Sequence, residues 1–162
     1  MLHRFKKLMQ SLADDTAKQQ SKQQSVNLAA AVLLVEVMMA DHDVRKEELQ
    51  QISDVLEKMF GIEKKQSTFL IEDARQRHHE LVSLHEMTSV INEQRDQELK
   101  RRLIFAMWCI AYADQEKDKY EEHLIRKVAD LLYLSHSDFI QARHKAEKYH
   151  DSGRSFTEYE SI

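Results

Sequence analysis

Seven carboxylates fall into two clusters that share one spacing. Asp41, Asp43 and Glu48 follow the pattern D-x-[DE]-x4-E, and Asp114, Glu116 and Glu121 repeat it, with Asp118 as an extra acid in the second cluster. Each cluster follows an almost wholly apolar stretch, so each sits where a buried helix is expected to end. A helix C-terminus carries partial negative charge on its unpaired carbonyls. Carboxylate and carbonyl oxygens brought together at a corner are the donors that a hard divalent cation such as calcium or magnesium takes. The spacing is shorter than an EF-hand loop, which needs twelve positions with a glycine at the sixth. A second chemistry fits the same residues. Asp118 and Glu121 match a D-x-x-E capping box, and acids in a first turn favour the helix dipole. Capping accounts for the second corner without a metal. It accounts less well for the first, where Arg45 and Lys46 occupy the equivalent stretch.

The elements that must hold these corners are themselves repeated. The segment from Leu28 to Phe60 aligns without a gap on the segment ending at Tyr133 under a constant shift of 73 residues. Ala40, Asp41, Asp43 and Glu48 fall on Ala113, Asp114, Glu116 and Glu121; further on, Ile52, Val55 and Met59 fall on Ile125, Val128 and Leu132. An apolar helix, an acidic corner and an amphipathic helix, each present twice, indicate an internal duplication. The fold expected is all-α: a compact bundle of seven or eight helices with internal pseudo-two-fold symmetry and no strand. Helices are expected at about 26–39, up to Gly61, 65–80, 81–94, 97–113, 118–133 and 138–150. Asp96, Ser83 and Ser137 are expected as N-caps, and Gly61 as a C-terminal stop. Trp108, with Phe105, Met107 and Tyr112, belongs to the expected core.

Composition supports this reading. The chain has 162 residues, enough for one domain with a real core, and it has no proline and two glycines, too little punctuation for a turn-rich β fold. The net charge of −4 and pI near 6.1 give no electrostatic case for nucleic acid. The lone Cys109 lies in an apolar run and reads as a small buried hydrophobe, consistent with a reducing compartment. The apolar stretches are shorter than the roughly 20 residues that span a bilayer, so they read as core helices of a cytoplasmic protein. Nine histidines show no His-x-x-x-His spacing suited to zinc, and the chain has one Glu-x-x-His pair, Glu147–His150, where a di-iron site needs two. No phosphate-cradling glycine loop or nucleophile elbow is present.

The two corners, A-D-H-D-V-R-K-E-E at 40–48 and A-D-Q-E-K-D-K-Y-E at 113–121, resemble the paired A-D-G-[DE]-x4-E signatures of the TerB family. M-W-x-I-A-Y-A-D, followed by E-E-x-L-I-x-x-V-A-D-L-L, is similar to a small stand-alone branch of that family. The resemblance implies a seven-helix fold over about residues 26–150, no catalytic activity, and divalent-cation binding by Asp41, Asp43, Glu48, Asp114, Glu116, Asp118 and Glu121, linked to metal or tellurite stress. The family glycine is replaced by His42 and Gln115, and Arg45 stands where the second repeat has Asp118, so the second corner is expected to be the stronger site.

Two flanking segments complete the organisation: an amphipathic helix with a polar linker over residues 1–25, and a polar tail over 151–162. Leu2, Phe5, Leu8, Met9 and Leu12 recur at helical spacing among basic residues. Such a helix can dock on the protein's own core or rest on an anionic membrane surface. The competing functional class is therefore a helical scaffold for a protein partner or the inner membrane surface, with the acids serving only as caps.

Overall fold

The computed structural model describes residues 18–39, 46–76, 84–113 and 119–152. They form seven helices: α1 (Lys18–Met39), α2 (Lys46–Phe60), α3 (Lys64–Gln76), α4 (Leu84–Asn92), α5 (Gln97–Ala113), α6 (Lys119–Leu131) and α7 (His136–Asp151). No strand occurs among the described residues. The expected helix at 2–13, the Ser83 cap and the tail beyond Ser152 lie outside them.

α1 and α5 pack against each other at the centre. The eight consecutive residues from Leu28 to Val35 are all buried, and so are the ten from Leu103 to Tyr112. Helices apolar around most of their circumference have no polar face to offer water, so they end up inside. α2 and α6 then fold back on α1 and α5 and cover them with one stripe each. Ile52, Val55, Leu56 and Met59 are buried on α2, and Ile125, Val128, Ala129 and Leu132 on or just after α6. The packing repeats with the sequence. α2 touches α5 as well as α1, and α6 touches α1 as well as α5.

The shift of 73 residues also carries α3 onto the body of α7. The two third helices are used differently. α3 lies on α1 and α2, whereas α7 makes its most extensive contact along α5. Arg101 meets Asp138 at the start of α5 and α7, and Tyr112 meets His150 near their ends, so these two helices run in the same direction. Phe139, Ala142, Ala146 and Tyr149 form the buried stripe of α7, where two alanines let the backbones approach.

Several boundaries differ from the sequence expectations. α1 starts at Lys18 rather than near 26, because the Lys and Gln of the polar stretch are good helix formers and extending an existing helix costs little. The last helix is capped by Ser135, not Ser137: the Ser135 hydroxyl accepts from Asp138 N at 3.1 Å, and Ser137 lies inside the first turn. Asp96 caps α5 as expected, accepting from Leu99 N at 3.2 Å.

The ends of α2 and α6 show where the repeats diverge. α2 stops at Gly61, whose φ of 62° is the left-handed conformation glycine adopts freely. α6 stops one position earlier in the alignment, at Tyr133, with φ 58°. There Leu134 N donates to Ala129 O and Tyr133 N to Asp130 O, the two bonds of a Schellman turn. Phe60, the partner of Tyr133 in the alignment, is buried, whereas Tyr133 is 79% exposed. A left-handed residue with a Cβ costs roughly 1–2 kcal/mol, and an exposed ring returns little packing. Tyr133→Gly is therefore expected to raise stability by about 0.5–1 kcal/mol in urea denaturation, after allowing for glycine's greater unfolded-state freedom. A destabilised variant would show that the tyrosine ring packs more than its exposure implies.

Candidate functional site

Each acidic corner joins the two helices of one hairpin. The first lies between α1 and α2, the second between α5 and α6. Asp41, Asp43, Asp114, Glu116 and Asp118 fall outside the described residues. Glu48 and Glu121 fall within helices, and each is the third residue of its own, α2 and α6. The two glutamates thus hold the same helical register, one turn past the corner. Asp118 immediately precedes Lys119, the first residue of α6, which is the N-cap position in sequence. Among the described residues, no group of three or more His, Cys, Asp and Glu side chains could hold a metal.

The flank of the second corner is described, and it contains a network that sequence reasoning missed. Tyr112 is in the last turn of α5 and Glu122 in the first turn of α6. Arg143, on α7, bridges them. Its Nε donates to the Tyr112 hydroxyl at 3.3 Å and its guanidinium to Glu122 Oε1 at 3.4 Å. The hydrogen bond to Tyr112 and the charges of Glu122 and Glu147 raise the Arg143 pKa further above its ordinary value. The guanidinium also lies 5.1 Å from the centre of the Trp108 ring, a cation–π contact. A permanent positive charge is therefore held on the described flank of the second corner. Arg143 and Glu122 are 21 residues apart on separate helices, and no local spacing connects them.

Trp108 anchors the same region. It is 4% exposed, with ring centroids 5.5 Å from Phe139 and 5.9 Å from Tyr112. Its Nε1 is buried without a hydrogen-bond partner. Burial pushes the Cys109 thiol far up, so it stays protonated at neutral pH and is no nucleophile.

The arrangement defines a class: an all-helical, duplicated bundle whose acidic segments connect the helices of its two hairpins. The family model for tellurite resistance protein TerB matches residues 27–144, and the chain belongs to this family. No curated protein and no solved structure matches it. Among the described residues, no helix is long and apolar enough to cross a membrane.

Proposed function

We propose that this protein is a non-enzymatic, cytoplasmic module that binds a divalent cation, calcium or magnesium, at its acidic corners and serves in the response to metal or tellurite stress. The observation that carries the reading is the matched register of Glu48 and Glu121, each the third residue of the helix that follows its corner. A carboxylate in the first turn of the second helix follows the corner acids closely in sequence, and both repeats carry the same order of donors. The donor set is oxygen throughout, which fits a hard cation and not a thiophilic metal. Asp114, Glu116, Asp118 and Glu121 would hold the ion in the second corner, and Asp41, Asp43 and Glu48 in the first. When bound, the ion would tie the two helices of a hairpin together and neutralise the corner.

A cation that binds only the folded state stabilises it by about 2.7 kcal/mol at a hundredfold excess over Kd. Calcium or magnesium is expected to raise the Tm, and potassium at equal ionic strength is not. Asp114→Asn with Glu121→Gln is expected to remove most of that shift, and Asp41→Asn with Glu48→Gln a smaller part. If the acids are only caps of a partner-binding scaffold, the first double variant loses about 1 kcal/mol and the parent shows no cation-specific shift. A flat titration of the folded protein to millimolar calcium and magnesium would reject the cation reading.

A further inference from the structure

A half-open pocket of about 400 Å³ lies between the C-terminus of α2 and the N-terminus of α5, with Val26 and Asn27 of α1 behind it. Both helices have their acidic corner at the other end, one helix length away, roughly 20–25 Å. The pocket is thus separate from the corners, and a ligand could occupy it whether or not a cation binds there.

Its lining is more polar than apolar, and the apolar residues in it, Val26, Met59 and Phe60, are buried. Its charged groups are Asp96, Glu98 and Arg102. Glu98 and Arg102 are one turn apart on α5, with the acid N-terminal, the favourable order for an ion pair. They do not make one. Glu98 instead lies 3.7 Å from Arg101. Arg102 makes no ion pair among the described residues, and its contact is a long bond from one guanidinium nitrogen to Met59 O at 3.4 Å. That bond places a half-buried guanidinium at the pocket with most of its five donors unused.

We propose that this pocket binds a free α-amino acid. A simple anion would meet Arg102 but also two carboxylates. A simple cation would meet the carboxylates but also the guanidinium. A small zwitterion satisfies both: its carboxylate on the open N–H groups of Arg102, its ammonium towards Glu98 and Asp96, its side chain over Val26, Met59 and Phe60. Gln94 adds an amide group to the polar lining.

The test uses the full chain, ¹⁵N-labelled, with three probes: L-leucine, 4-methylpentanoate (the same molecule without its ammonium) and 3-methylbutylamine (without its carboxylate). L-Leucine is expected to shift the Gly61 and Leu99 amides saturably, and each half-ligand to bind at least about tenfold more weakly. Arg102→Gln is expected to weaken L-leucine about tenfold or more. Should that variant fail to fold, Glu98→Gln serves instead, since the Glu98 side chain is largely exposed; a loss of about threefold is expected. Half-ligands that bind as well as L-leucine would overturn the proposal. So would unchanged affinity in the folded variants, or the absence of saturable shifts up to about 10 mM, a Kd too weak for a built site.

Discussion

Trp108→Ala is expected to lower the unfolding free energy by about 3–5 kcal/mol in urea denaturation. The indole is 4% exposed and packs on Phe139 and Tyr112, with the Arg143 guanidinium over its face. Its removal opens a cavity between α5 and α7 and takes away one of the surfaces that hold Arg143. Trp108→Phe should be far milder, about 1.5 kcal/mol or less. It loses volume, but it also removes an indole N–H that is buried without an acceptor, and an unpaired buried donor itself costs about 1–3 kcal/mol. A loss below about 1 kcal/mol for Trp108→Ala would place the ring at the surface, contrary to its packing between α5 and α7.

Leu34→Ala should cost about 2–5 kcal/mol by the same measurement. Leu34 is fully buried in the middle of α1, the helix that α2, α3, α4, α5 and α6 all contact. With α1 held by five helices, no single one can move to fill the space without losing contacts elsewhere. Phe69→Ala is the control. Phe69 is a larger residue but 45% exposed on α3, and its truncation should change stability by about 0.5 kcal/mol or less. Similar losses at the two sites would mean that α1 is not the centre of the core.

The two variants also separate what was readable locally from what was not. Leu34 and Trp108 sit in long apolar runs, and a run apolar around its whole circumference can only be interior. That inference needs no partner to be named. Phe69 looks the same in sequence, next to Leu70 and Ile71, but those two residues turn inward and Phe69 does not. On a helix packed by one face, consecutive apolar residues cannot all be buried. The face is chosen by the neighbours, here α1 and α2. The cap of α7 is a similar case. Ser135 and Ser137 are equally good caps by residue type, and the Schellman turn at Tyr133 that precedes them leaves the helix to begin at His136, so that Ser135 takes the position.

The candidate site divides in the same way. Duplication prints the acidic spacing of 41–48 again at 114–121, and of those acids the structure describes Glu48 and Glu121 and gives them the same register. The positive charge beside the second corner was not legible, because Arg143 reaches Tyr112 and Glu122 only after α7 has packed along α5. The pocket at the far end is likewise assembled from α1, the end of α2 and the start of α5, segments that share no local pattern. By itself, the sequence determined the helical class, the duplication and the two central helices, since each depends on periodicity or spacing within one stretch of chain. Only the tertiary structure decided which apolar residues stay exposed, where the third helix of each repeat lies, and which charges face one another, because these depend on distances between residues that the chain keeps far apart until it folds.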